Sequence, residues 1–441
     1  MALGGIMAPA AVRPAQAADA TLVFAALNVL VANHVSEPDP IKLLAAALDE
    51  VRQMLARAGI AGPLANVTAT SETQARAEFQ ARFDRAVAAA QGRITETQLQ
   101  YAAVRAMAAS LDDSHTAFIS PEQWDEIRRR NQGQAAFSGI GILLLFRDGR
   151  YYIKHVLPRS PAARVGLRDL DRIVAVDGQS TQGMSREDFS GRVRGPQGTT
   201  VLITVQRAGE TGSLTFSVTR EPIVTTIVEH SMLDGGVGYI RFPQFVLGSA
   251  DQFRRALEDL QRQGMRGLVL DLRSNGGGFV GEVVQIASML LPAGLPIMVR
   301  EGRREGKTTD VTTGGPLLDP SSSLVVLVDE STFSGAEVLG AAIQEYERGT
   351  LVGVQTGGAV LSSRYFLLPG GAAIQVATSR VLTGKGVVLE RNGVGPDTVV
   401  DLATDDLDRG VDSQLERALQ IATERVPASR IVRYQPSALA A

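Results

Sequence analysis

An apolar run from Ser323 to Val328 leads into Asp329-Glu330-Ser331-Thr332-Phe333-Ser334-Gly335-Ala336-Glu337 and then into a helical pattern. A serine at a strand-to-helix junction presents its hydroxyl outward, while the next backbone N–H and the helix dipole face any oxyanion formed beside it. Ser334 is therefore a candidate nucleophile. Ser334 and Glu337 also match a helix capping box, so the serine alone does not decide between chemistry and structure. A second string, Asp271-Leu272-Arg273-Ser274-Asn275-Gly276-Gly277-Gly278, follows the apolar run Gly267 to Leu272. Three glycines after a buried strand let the backbone approach a substrate carbonyl and offer N–H groups to it; the competing reading is a flexible turn. A nucleophile and oxyanion donors are two of the three parts of an acyl-transfer site, and the third is a base. The chain has no cysteine, only four histidines (His34, His115, His155, His230) and only four lysines (Lys42, Lys154, Lys307, Lys385), so few residues are available for that task. No two histidines have the spacing that places metal ligands on one helix face, and no metal is expected.

The elements that must position these residues fall into three stretches. From Ala18 to about Gly133 apolar residues recur at three- and four-residue spacing, as in Leu43-Leu44-Ala47-Leu48-Val51-Met54-Leu55 and Tyr101-Val104-Met107-Leu111, which predicts helices. Ser71 with Gln74 and Thr95 with Gln98 predict helix starts. Short β-rich runs bounded by glycine then extend to Pro222, and beyond it strands alternate with helices in α/β order, ending in a helix from Val411 to Ile421. The expected domains are residues 1–20 as a signal-like or disordered segment, 21–133 helical, 134–222 β, 223–403 α/β, and 404–441 a C-terminal helix and tail.

A length of 441 residues allows two or three cores, and a net charge of −3 without long runs of one sign provides no stripe for nucleic acid and no polybasic membrane patch. No apolar stretch reaches the roughly 20 residues needed to span a bilayer. The opening residues are small and apolar, and Ala15-Gln16-Ala17 has the form preferred before signal cleavage. They read either as the remnant of an export signal that starts upstream or as a disordered terminus.

Within the β stretch, Ser138-Gly139-Ile140-Gly141-Ile142, Ser160-Pro161-Ala162-Ala163-Arg164-Val165-Gly166-Leu167 and Asp171-Arg172-Ile173-Val174-Ala175-Val176-Asp177-Gly178 resemble a PDZ domain. The resemblance implies that Gly139, Ile140, Gly141 and Ile142 bind a peptide C-terminus by strand addition beside a nest of N–H groups. One departure is Leu170, where the family usually has glycine.

The Ser334 and Gly276–Gly278 strings, with Gly353-Val354-Gln355-Thr356-Gly357-Gly358 and Gly393-Val394-Gly395-Pro396-Asp397, resemble the S41 peptidases, the tail-specific or C-terminal processing family. That resemblance covers about Leu111 to Val400. It implies an α/β, crotonase-like (ClpP/crotonase) peptidase core with an N-terminal helical domain and an inserted PDZ-like β-domain, and cleavage of polypeptides, often near unstructured C-termini. In the processing branch the base is a lysine twenty-five residues beyond the serine, where this chain has Ala359; Lys385 lies outside the motif. Another branch, similar to the tricorn core protease, uses Ser, His and Glu. Its positions correspond to His115, in Leu111-Asp112-Asp113-Ser114-His115-Thr116, and to Glu390, in Leu389-Glu390-Arg391-Asn392-Gly393.

The resemblance thus implies Ser334 as nucleophile, His115 as general base, Glu390 as its acid and Ser114 as an accessory hydrogen-bonding group. Gly277 and Gly335 are the expected oxyanion donors, with Gly276 or Gly278 as substitutes for the former. No cofactor is expected; the partners are polypeptide substrates or peptide C-termini, self-association into a homo-oligomer stays open, and the location is periplasmic or extracellular. Two other classes compete. An inactive PDZ-containing binding or scaffolding protein is favoured by Ala359, and a crotonase-type acyl-thioester enzyme by the fold and glycines alone.

Overall fold

The computed structural model describes residues 20–61, 64–225 and 227–424, so the Ala15-Gln16-Ala17 string and the end of the tail lie outside the described residues. Two compact units result: residues up to Pro121 together with Ser363–Ala377, and Glu122–Ser362 together with the residues from Thr378 onward.

The first unit is helical. Its helices are α1 (Thr21–Asn33), α2 (Pro40–Arg57), α3 (Glu72–Ala90) and α4 (Glu96–Ala109), followed by the short strand β1 (Ala117–Ile119). On α2 the predicted stripe Leu43, Leu44, Ala47, Leu48, Val51 and Leu55 is buried, as three- and four-residue spacing requires. Asp39 caps α2 by accepting the N–H of Ile41, and Pro40 occupies the first turn, where a missing N–H costs nothing. Thr95 and Gln98 form the predicted reciprocal box. At Ser71 the hydroxyl accepts the Gln74 N–H, but the Gln74 side chain turns to Thr70 instead. β1 pairs antiparallel with residues 373–375, which explains why the unit draws in a stretch far along the chain. Helix α5 (Pro121–Asn131) buries none of its side chains, and the first unit ends at Pro121.

The second unit begins with α5 and a β module: β2 (Phe137–Gly139), β3 (Ile142–Arg147), β4 (Arg150–Val156), α6 (Pro161–Val165), β5 (Arg172–Val176), β6 (Gln179–Ser180), α7 (Arg186–Val193), β7 (Thr200–Gln206), β8 (Ser213–Thr219) and β9 (Glu221–Ile223). β3, β4, β5, β7 and β8 make one antiparallel sheet, while β2 and β9, the entry and exit strands, pair with each other. Leu170 has a φ of 67°, the left-handed conformation for which glycine is suited. Its side chain packs against Leu145, Tyr152, Leu402 and Leu407, so packing offsets the backbone strain.

The α/β part contains β10 (Glu229–Leu233), β11 (Val237–Arg241), α8 (Ser249–Arg262), β12 (Gly267–Asp271), α9 (Val280–Leu290), β13 (Pro296–Gly302), β14 (Gly306–Val311), β15 (Ser323–Val328), α10 (Gly335–Glu345), β16 (Thr350–Gly353), β17 (Leu361–Leu367), β18 (Ala373–Thr383), β19 (Thr398–Val399), α11 (Thr404–Asp408) and α12 (Ser413–Glu424). The main sheet has the order β10-β11-β12-β15-β16-β19 and is parallel except for the β10–β11 pair. Helices cover both faces: α8, α9 and α10 bury one, and Ala418, Ile421 and Ala422 of α12 cover Val237, Val269, Val325 and Val352 on the other. That double cover is why β12 and β15 read as continuous apolar runs and are buried throughout. β12, β15 and β16 are parallel neighbours, so the loops leaving their carboxyl ends lie side by side, where α/β sheets place ligands.

Candidate active site

Those three loops carry Gly276–Gly278, Ser334 and Thr356–Ala359. Ser334 caps α10 at φ 55° and ψ −118°, a strained conformation that lifts the side chain out of the strand-to-helix turn. The glycine loop lies directly against it: a Cβ added at Gly277, whose φ is +82°, would fall 2.6 Å from Ser334 Cβ and 2.8 Å from Gly335 N. Only a residue without a side chain permits that approach. The predicted Gly277 donor differs in one respect, because its N–H already donates to Asn275 Oδ1 at 2.8 Å. The Phe333 N–H donates to the Asn275 carbonyl at 2.8 Å, which ties the two loops together one residue before the serine.

Glu337 does more than its sequence position suggested. It is fully buried, and one carboxylate oxygen accepts the Ser334 N–H at 2.8 Å and the Ala359 N–H at 3.1 Å. The other oxygen accepts Thr356 Oγ1 at 2.6 Å and the Gly358 N–H at 2.8 Å. Burial raises its pKa above the ordinary glutamate value, and these hydrogen bonds offset only part of that. A capping-box pattern reveals the bond to Ser334 but not the partners on the third loop. Asp329 is the second group missed: its Oδ1 accepts the N–H groups of Ser274 and Ser331 at 2.9 and 3.0 Å and Thr332 Oγ1 at 3.1 Å. The bonds to Ser331 and Thr332 are a local turn that an aspartate after a strand could have signalled; the bond to Ser274 depends on the sheet.

Ala359 has no side chain able to act as a base. Lys385 does not replace it: its ammonium binds the Glu345 carbonyl and lies 5.3 Å from the Tyr346 ring centre, at the C-terminal end of α10. Ser334 sits at the other end, about 16 Å away along eleven residues of helix. Glu390 Oε2 accepts the Val360 N–H at 2.6 Å, on the strand side of the same loop.

In the helical unit, His115 follows α4. Asp113 Oδ1 accepts the backbone N–H groups of His115 and Thr116, both at 2.7 Å, and its Oδ2 meets His34 Nε2 at 2.8 Å. Burial alone would raise the Asp113 pKa, but these hydrogen bonds outweigh it and hold the group below the usual aspartate value, ionised and able to fix the His115 backbone. Ser114 Oγ lies 2.7 Å from His115 Nδ1. His34 is thus structural. His155 pairs with Asp169 and Glu229, and His230 with Asp259.

The expected peptide-binding residues Gly139, Ile140, Gly141 and Ile142 line a cavity of about 530 Å³ that also touches Val193 at the end of α7 and extends to Ser274 and Gly276 of the glycine loop. Gly141 adopts φ +80°, and a Cβ there would collide with Ser160 at 2.3 Å.

Residues 236–400 match the family model for peptidase family S41, and residues 152–207 match that for the PDZ domain. The carboxyl-terminal-processing protease of Synechocystis sp. is 32% identical over 330 residues, which span 73% of this chain and 77% of that protein. The carboxyl-terminal-processing protease of Picosynechococcus sp. is 34% identical over 306 residues, 68% of this chain and 72% of the relative. Among solved structures, the photosystem II D1 C-terminal processing protease superposes with a TM-score of 0.53 at 24% identity, covering 92% of this chain and 99% of that one, a likeness of fold. Nothing in these comparisons favours the inactive scaffold. The chain belongs to peptidase family S41, and is a serine-type peptidase that carries a PDZ domain.

Proposed function

We propose that the protein cleaves polypeptides near unstructured C-termini through an acyl-enzyme on Ser334, with His115 as general base, Glu390 as the acid supporting it, and the PDZ groove engaging the substrate's C-terminus. The observation that carries this reading is the strained Ser334 turn with Gly277 packed against it, since strain of this kind persists where the surroundings hold it for a purpose. Ser334 Oγ attacks the scissile carbonyl and passes its proton to His115; the imidazolium then protonates the leaving amine, and water activated by the same base releases the acyl group. Ser114 Oγ beside His115 Nδ1 supports proton transfer through Nε2. The oxyanion is met by the Gly335 N–H and an N–H of the Gly276–Gly278 run, with Gly278 favoured because the Gly277 N–H serves Asn275. The parallel sheet with helices on both faces supports a crotonase-like core. Export to the periplasm or exterior is supported by the Ala15-Gln16-Ala17 string, and no described helix is long and apolar enough to cross a membrane.

Casein hydrolysis and fluorophosphonate labelling test the reading in the parent and in Ser334→Ala, His115→Ala and Glu390→Ala. The parent is expected to cleave and label, Ser334→Ala and His115→Ala to do neither. A parent inert towards casein and towards peptides that enter the PDZ groove overturns it.

A further inference from the structure

We propose that Lys154, a side chain of the PDZ domain, is a positioning residue of the peptidase site, holding the glycine loop and the Ser334 loop at their working separation. Its ammonium donates to Ser274 Oγ at 2.6 Å and forms an ion pair with Asp329 Oδ2. Ser274 opens the glycine loop and Asp329 opens the serine loop, so one cation from a different domain bridges the two halves of the site. Asp329 Oδ1 already accepts the Ser274 N–H, and Lys154 closes the triangle from the other oxygen. The path onward is short. Asn275, next to Ser274, holds the Phe333 N–H with its carbonyl and the Gly277 N–H with its side chain, and Gly277 lies against Ser334.

Charge makes the bridge consequential. The side chains of Lys154 and Asp329 are 12% and 6% exposed, so losing the ammonium leaves a buried carboxylate uncompensated and Ser274 Oγ without its donor. Ser274 is held in the left-handed region at φ 59°, a conformation that relaxes once its tethers weaken. Docking of the PDZ domain has other anchors. Arg147 pairs with Asp401, Arg150 with Asp408 at 2.6 Å, and His155 with Glu229 at 2.9 Å, and none of these carboxylates lies on the catalytic loops. Losing Lys154 therefore displaces the loops without releasing the domain.

This assignment rests on Ser334 as the nucleophile. The test measures kcat and KM on a short fluorogenic peptide with an amidated C-terminus, which gives the PDZ groove no carboxylate, together with fluorophosphonate labelling and Tm, for wild type, Lys154→Met, Lys154→Arg and the docking control Arg150→Ala. Lys154→Met is expected to lower kcat about tenfold to a hundredfold, as displacement of reacting groups by about 1 Å does. Its KM stays within about twofold, Lys154→Arg recovers part of the rate, and Arg150→Ala keeps wild-type kcat. An active wild type with an equally active Lys154→Met overturns the positioning role alone. Wild type that neither cleaves nor labels overturns the nucleophile assignment and this role with it. Should Lys154→Met fail to fold, Ser274→Ala, which removes the hydroxyl that the ammonium holds, decides: lower kcat at unchanged KM supports the role, and wild-type kcat overturns it.

Discussion

Replacing Glu337 by glutamine changes one atom at the junction of the Ser334 turn and the Thr356–Ala359 loop. The carboxylate offers two oxygens to four donors, Ser334 N–H and Ala359 N–H on one and Thr356 Oγ1 and Gly358 N–H on the other. Glutamine keeps its oxygen on the Ser334 and Ala359 N–H groups and turns an NH2 group on Thr356 Oγ1, a hydroxyl that can accept, which leaves the Gly358 N–H as the orphaned donor. A buried N–H left without an acceptor costs about 1–3 kcal/mol. Against this, the neutral amide avoids the desolvation that raises the Glu337 pKa, which brings the net loss to about 1–2 kcal/mol. Because Glu337 ties Gly358 and Ala359 to Ser334, the loss loosens the junction that aims the nucleophile. If all of it raises the activation barrier, kcat falls about fivefold to thirtyfold. Amide hydrogen exchange read by mass spectrometry locates the effect, with faster exchange in the peptides containing Ser334 and Ala359, and short-peptide hydrolysis gives kcat. Unchanged exchange in both peptides together with kcat within about twofold of wild type would refute the reasoning.

Three further outcomes are expected. At His155 burial opposes the cation, but Asp169 and Glu229 outweigh it and raise the pKa from 6.5 to about 9. The folded value lies above the unfolded one, so the contribution to stability is complete below about pH 6.5 and disappears as pH rises through about 9; it is on the order of 2 kcal/mol, reduced because Asp169 is half exposed. Urea titrations from pH 6 to 10 should show this slope in wild type and not in His155→Gln. Leu170→Gly should be more stable than Leu170→Ala by about 1 kcal/mol, since both lose the packing and only glycine relieves the positive φ; a less stable glycine variant in calorimetry contradicts this. Lys385→Ala should keep wild-type kcat, because its ammonium is engaged at the far end of α10; a loss of cleavage measured with casein would make it part of the site.

Local order carries much of the site into the sequence. An apolar run, a turn and a helical pattern place Ser334 between β15 and α10, and a triple glycine after β12 marks the approach of a second loop, because these are properties of contiguous residues. The helical stripes, the caps at Thr95 and Asp39 and the left-handed turn usually filled by glycine but here by Leu170 depend equally on near neighbours. Tertiary structure decided what those residues touch. Glu337 finds Thr356, Gly358 and Ala359 because β15 and β16 are parallel neighbours, and Asp329 finds Ser274 because β12 and β15 are. Lys154 meets Asp329 across 175 positions of chain, and β1 finds its partner more than 250 residues onward. No periodicity records such pairings, since strand order and domain docking arise from burying apolar faces and neutralising buried charge throughout the molecule, and the polar groups drawn together satisfy one another only afterwards.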